Sequence, residues 1–406
     1  MAEPNHVVEL SRERRHDLDW LRVGAFALLI LFHVGRAFVP WSWHINDDAT
    51  SQALTYSMFF LHQWRLPLLF MISGAAVWFS LGRRGARGFA RERLIRLGIP
   101  LIFGMLVIVP PQVYYERLFQ GVEYSSILEF YPSIFQGAYP DGNLSWHHLW
   151  YVVYVLVYSL AALPLLWALG RPVGRRVIDV LARVLSFPGM ILLALAPLVV
   201  SDVLLRPNWP DTHNLTADWA NLTHSLILFI YGYLVCADER IWRAMDRMRW
   251  FAIGTGILLT TGYYAMRAGL VLEDVRLPPV VYWSLKNLNM LSWIAMLFAF
   301  TRRLCNRPSP FLSRATVAVY PFYILHQTII VIAVFYIVRL DWGVGPKFAL
   351  LTLITFGGCL LAYEGVIRRW QLTRVVFGMK PTALKSPSAP VVGATGPEAL
   401  GRTLET

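Results

Sequence analysis

Long apolar stretches alternate with short polar connections from residue 18 to residue 367. A membrane-spanning helix needs about 20 predominantly apolar residues. Ten segments read as such helices: 18–40, 54–81, 95–116, 146–169, 187–205, 222–237, 250–270, 282–300, 312–338 and 348–367. The sixth is short, which suits a tilted or partly buried helix. A hydrocarbon layer admits only helices or closed barrels. Barrel strands alternate in polarity residue by residue, whereas these runs are continuously apolar. The fold class expected is therefore an all-α integral membrane protein with about ten transmembrane helices. Residues 1–17 are polar and the first apolar run is too long for a signal-peptide core, so the first helix reads as an uncleaved anchor.

Charge then sets the expected orientation, because cytoplasmic connections carry the excess of Lys and Arg. The connections on one side, with both termini, hold 27 of the 37 basic residues. The alternate connections hold six: Arg36, Arg117, Arg206, Arg276, Arg339 and Lys347. Arg22, Arg65, Arg267 and Lys286 lie inside apolar segments. Both termini are thus expected in the cytoplasm. The reading divides the chain into a cytoplasmic segment (1–17), a membrane domain (18–370) and a cytoplasmic, largely disordered tail (371–406). Only 15% of residues are charged, against about 25% in soluble domains, and the mean hydropathy is +0.48. Three scattered cysteines, Cys236, Cys305 and Cys359, exclude a disulfide scaffold and a CxxC metal site. No metal and no bound cofactor are expected. No internal repeat is visible, and the Asn-x-Ser/Thr triplets at Asn143, Asn214 and Asn221 carry no functional weight.

Ionisable residues inside a membrane helix are costly, so each is a functional candidate. Arg267 and Glu364 are near helix ends, where a charged tip regains water. Arg22 and His33 are different. Their separation of eleven residues is about three turns plus 20°, so both project from one helix face roughly 16 Å apart along the axis. His62 and Arg65 lie one turn apart on the second helix, at about the depth of His33. Pro67 is expected to kink that helix, and the small residues from Ser73 and Gly74 onward permit close helix approach. Arg93 and Arg96 are one turn apart in the Arg-rich loop leading to Pro100, and guanidinium groups suit phosphate. His147 and His148 open the fourth helix at the outer rim. Lys286, Asn287, Asn289 and His326 complete the intramembrane polar set.

These residues resemble the membrane-bound acyltransferase family 3. The resemblance rests on the Arg-x10-His pair Arg22–His33, on Ser73-Gly74, on the stretch from Arg91 to Pro100, and on His148-Leu149-Trp150. Within the family, LHQWRLPLLFMISG is most similar to the glucan biosynthesis C branch, succinyltransferases of periplasmic glucan. The family's usual Ser-Gly-Phe is Ser-Gly-Ala here, with Ala75. The resemblance implies a ten-helix enzyme of the bacterial inner membrane. Its donor is a cytoplasmic acyl-CoA, such as acetyl-CoA or succinyl-CoA, and its acceptor a hydroxyl of an envelope carbohydrate or similar molecule. It implies His33 as the catalytic residue, either as general base or as acyl carrier. In that geometry Arg65 stabilises the oxyanion and His62 is a further catalytic candidate. Arg22, Ser73, Gly74, Arg93 and Arg96 face the donor, and His147, His148 and Lys286 face the acceptor. Membrane lipid is the other expected partner, and nucleic acid is not one.

Two other classes compete with the enzyme reading. A multi-pass exporter of a lipid-linked or anionic solute could use the same charged cavity, with His33 as a proton relay. The absence of visible repeats disfavours it. A purely structural or sensory membrane protein has no need of buried Arg and His on adjacent helices. The charge asymmetry generates a topology prediction. A cytoplasm-active reporter is expected to work after residue 380 and within 82–94, and a periplasm-active one within 119–145. Periplasmic activity from a reporter in 82–94 overturns the orientation and the donor side with it.

Overall fold

A computed structural model describes residues 14–270 and 277–381. The cytoplasmic segment before residue 14 and the tail beyond residue 381 lie outside the described residues. Every regular element described is helical. Five helices are long and apolar enough to cross a membrane, or six if one bent pair counts as a single span. All ten apolar segments seen in the sequence are helical, but several are shorter or more broken than a simple span.

α1 (His16–Arg36) opens with Asp17 and Asp19 in its first turn, where negative charge suits the helix dipole. α2 (Gln52–Arg93) is capped by Ser51, whose hydroxyl accepts from the Leu54 N–H. It continues through Pro67 and is broken at Gly85, whose φ of +67° favours glycine. The Arg-rich stretch that reads as a loop is thus helical on both sides of Gly85. π turns at Leu94–Gly98 and Gly104–Ile108 follow, and α3 (Pro110–Phe119) completes the third apolar segment. α4 (Trp150–Ala161) and α5 (Leu163–Leu169) meet at a 54° bend, with Pro164 at the second position of α5.

Two connections that read as charged loops are amphipathic helices, α6 (Pro172–Ser186) and α9 (Glu239–Arg247). Their periodic apolar faces are buried through Ile178, Ala182, Ile241 and Trp242. Their polar faces join where Arg240 donates to Asp179 at 2.6 Å. Hydrogen bonds from Arg240 and then Arg183 hold the Asp179 carboxyl below its ordinary pKa, and hydrogen bonds to Asp238 first and Asp179 second raise that of the Arg240 guanidinium. Between these helices run α7 (Leu195–Leu205) and α8 (Trp219–Ala237); α10 (Arg249–Arg267), α11 (Pro279–Cys305), α12 (Pro310–Ile337) and α13 (Val344–Ala362) follow.

The closest helix contact is between α2 and α8. A Cβ on Gly74 would sit 1.7 Å from the Phe229 carbonyl oxygen, and one on Gly232 would sit 1.8 Å from that of Met71. The two backbones touch through reciprocal glycines, as small residues allow in membrane bundles. Gly74 therefore has a packing task in the α2–α8 crossing. α1 packs against α2, α11 and α12, which brings its polar face between the two helices that carry Arg65 and His326.

Gly74→Val is expected to force α2 and α8 apart and to lower the thermal midpoint in detergent, with a cost of about 1–3 kcal/mol or more. Gly24→Ala, where nothing lies within 4 Å of the new carbon, serves as the control. Equal midpoints for both variants would show that the crossing is not a structural requirement.

Candidate active site

α1 and α12 meet at a pair of imidazoles. His33 Nδ1 lies 2.8 Å from His326 Nε2, and the rings stack with centroids 5.0 Å apart. His326 is fully buried, and its Nδ1 is 2.6 Å from the carbonyl oxygen of Tyr323 on its own helix. A carbonyl only accepts, so this contact assigns the His326 proton to Nδ1 and leaves Nε2 as an acceptor in the neutral ring. His33 then donates from Nδ1, and its Nε2 lone pair is free. That nitrogen has no hydrogen-bond partner among the described residues, and the His33 side chain is only half-buried. The arrangement is an oriented base: one ring nitrogen anchored, the other available.

Arg65 on α2 is 1% exposed, and its Nε and Nη1 have no partner among the described residues. Its guanidinium carbon stands 3.8 Å above the ring of Phe32, the neighbour of His33. A buried charge without a counter-ion is strongly unfavourable, and the ring face offsets only part of that. Donors in this state suit an anion, or an oxygen on which negative charge develops. Gln63 Nε2 and Trp64 Nε1, the two preceding residues, are also buried without partners.

His62 is exposed and stacks on Phe32 at 6.0 Å rather than joining the His33–His326 pair. His147 and His148 separate. His148 turns inward, donates from Nε2 to the Ile324 carbonyl at 3.1 Å, and lies 5.1 Å from the His326 ring. His147 turns away toward His44. Lys286 is exposed and lies over Trp283 at 4.6 Å, on a rim shared with Arg206.

At the other end of α1, Arg22 is half-buried and 3.5 Å from Asp19. The hydroxyl of Tyr151 is 2.7 Å from Ser73 Oγ and donates to the Leu69 carbonyl at 3.0 Å. Arg93 keeps a buried Nε without a partner, as does the hydroxyl of Tyr320. Arg96 is committed elsewhere: it donates to the Gly378 carbonyl at 3.1 Å and pairs with Glu92. Of these residues Ser73 pairs with Tyr151 and Arg93 keeps an unpartnered nitrogen, while Arg96 and Gly74 make structural contacts. Sequence reasoning noted His326 without assigning it a role, and it did not single out His44, Glu116 or Tyr323. The partners of His33 and His44 are 293 and 72 residues away, and no local spacing signals them.

A family model described as an acyltransferase domain, Acyl_transf_3, matches residues 15–364. The chain belongs to acyltransferase family 3. Its members with curated descriptions include glucans biosynthesis protein C of Salmonella typhi and of Salmonella typhimurium strain LT2, each 29% identical over 154 residues. The protein of that name from Salmonella paratyphi B is 28% identical over the same length. Each match covers 37% of this chain and 38% of the relative. No solved structure matches this acyltransferase-3 chain.

Arg65→Met keeps the volume of the side chain and removes its uncompensated charge. It is expected to raise thermal stability by about 1–3 kcal/mol, as apolar replacements of buried charge often do. A lower unfolding midpoint would mean that the folded protein itself satisfies the guanidinium.

Proposed function

We propose that this acyltransferase-3 protein is a transmembrane O-acyltransferase of the bacterial inner membrane, with ten spans and both termini cytoplasmic. It takes an acyl group, acetyl or succinyl, from a cytoplasmic acyl-CoA and places it on a hydroxyl of an envelope carbohydrate. The relatives named for glucan biosynthesis favour a glucan acceptor. The observation that carries the reading is the oriented His33–His326 pair beside an unpartnered, buried Arg65.

The inner cluster of Arg22, Arg93, Ser73, Tyr151 and Tyr320 binds the donor's phosphates, with arginine as the planar donor. The roughly 16 Å between Arg22 and His33 along α1 is the path of the pantetheine arm. At the outer end, His33 Nε2 takes the proton of the acceptor hydroxyl as the oxygen attacks the thioester carbonyl. Arg65 donates to the oxygen that becomes negative in the tetrahedral intermediate. When that intermediate collapses, the carbon–sulfur bond breaks and the His33 proton passes to the departing thiolate. His326 does not touch substrate; it positions His33 by accepting its Nδ1–H, the task of the third residue in a catalytic triad.

Label transfer from radioactive acyl-CoA to acceptor tests this. His33→Asn is expected to lose about 10²–10⁴-fold, the contribution of a positioned base, at normal expression. His326→Leu should lower kcat by roughly ten- to a hundredfold within that range and leave the donor KM unchanged. His326→Gln retains an acceptor for His33 and should recover much of the loss. Activity of His33→Asn within about tenfold of wild type excludes His33 as the base.

A further inference from the structure

His44, Glu116 and His147 form a second cluster, apart from the His33 pair. His44 lies between α1 and α2, Glu116 is on α3, and His147 is in the turn entering α4. One donor atom of each lies within 4.8 Å of the other two. The remaining polar atom of each is held by a separate partner. Gln327 Nε2 is 3.0 Å from His44 Nε2, Ser145 Oγ is 3.2 Å from His147 Nδ1, and the Tyr139 hydroxyl donates to Glu116 Oε1 at 2.8 Å. Such outer partners are what orient metal ligands. Gln327 is itself fixed by Gln112, and Gln112 by Thr328.

The inward atoms are poorly satisfied. His147 Nε2 is shut off from solvent with no partner among the described residues. Glu116 is 3% exposed and forms no ion pair with Lys or Arg among the described residues; its Oε2 receives only His44 Nδ1, at 2.8 Å. His147 also adopts φ +38°, a left-handed conformation uncommon outside glycine and a mark of functional strain. Three segments thus bring donor atoms to one point at which no Lys or Arg pairs with the carboxylate among the described residues.

We propose that His44, Glu116 and His147 bind one divalent first-row cation, zinc by this donor set. Two imidazoles and a carboxylate match zinc, and three protein ligands leave a fourth position for water. On binding, the single proton of the His44 ring moves from Nδ1 to Nε2, and the amides of Gln327 and Gln112 turn together, so that Gln327 Oε1 accepts from both His44 and Gln112 Nε2. No proton is gained or lost. The ion fastens the turn bearing His147 and His148 to α3 and to the α1–α2 connection, which fixes the outer wall beside His326.

The test uses full-length protein in detergent, purified without a polyhistidine tag, stripped with chelator, reloaded with zinc and desalted. Elemental analysis is expected to give one zinc per chain, and zinc should raise the thermal midpoint, since it binds the folded state alone. His147→Ala and Glu116→Gln should each lose the zinc and the zinc-dependent rise. The Glu116→Gln amide preserves shape and keeps one oxygen to accept from Tyr139, so it serves if His147→Ala does not fold. Wild-type protein at background zinc overturns the site, and so does zinc retained equally by the folded variants.

Discussion

An apolar helix offers a polar side chain few ways to satisfy itself, since lipid supplies no hydrogen bonds. Each must find a partner within the protein or reach water. Most polar groups of this chain do so. Lys347 pairs with Asp47 at 2.7 Å with both side chains buried, and Asp202 takes Arg206 at 2.6 Å and Asn287 at 2.7 Å. Asn289 bonds Thr260, which in turn receives the Trp293 N–H. Against that background the unsatisfied groups stand out. Gln63, Trp64, Arg65, His148, Arg93 and Tyr320 are among the buried groups with an unpartnered polar atom among the described residues. Arg65 stands over Phe32 of α1, and His148 lies beside the His326 ring that anchors His33.

The glycine contact between α2 and α8 is what allows this arrangement to persist. Association of helices in lipid relies on close packing rather than on the hydrophobic effect. The Gly74–Gly232 crossing gives α2 a closely packed partner, through carbonyl contacts that no larger residue permits. α2 can then hold Arg65 against Phe32 despite the cost of its burial. Stability gathered at one helix contact offsets strain held at another, as is usual where a site must remain unsatisfied until substrate arrives.

The helices were legible because membrane burial writes itself into composition over about 20 residues. Ten apolar runs in the sequence correspond to ten helical regions, although five or six alone pass as spans by length and composition. The Arg22–His33 spacing was legible for the same reason: helical periodicity fixes which face a residue occupies. What escaped was either tertiary or short. α6 and α9 are too charged to register as apolar runs, and their burial follows from mutual packing. The Arg-rich stretch reads as a loop because charge density masks its helical continuity around Gly85. Gly74 reads as part of a donor motif because sequence cannot show the carbonyl opposite it. The partners of His33 and His44 depend on which helices the bundle makes neighbours.

The identity of the group that orients His33 follows from the same electrostatics. Soluble hydrolases commonly place a carboxylate behind the catalytic imidazole. In the outer half of this bundle a carboxylate at that position would stand close to Arg65 in a low-dielectric interior. The attraction between opposite charges there is several-fold stronger than in water. Arg65 would pair with it and have no donor left for a developing oxyanion. The chain from the Tyr323 carbonyl through His326 to His33 gives the same orientation with no net charge. The nearby buried acid, Glu116, is instead engaged by His44 and Tyr139. A neutral relay thus orients the His33 imidazole while leaving the buried Arg65 guanidinium without a counter-ion among the described residues.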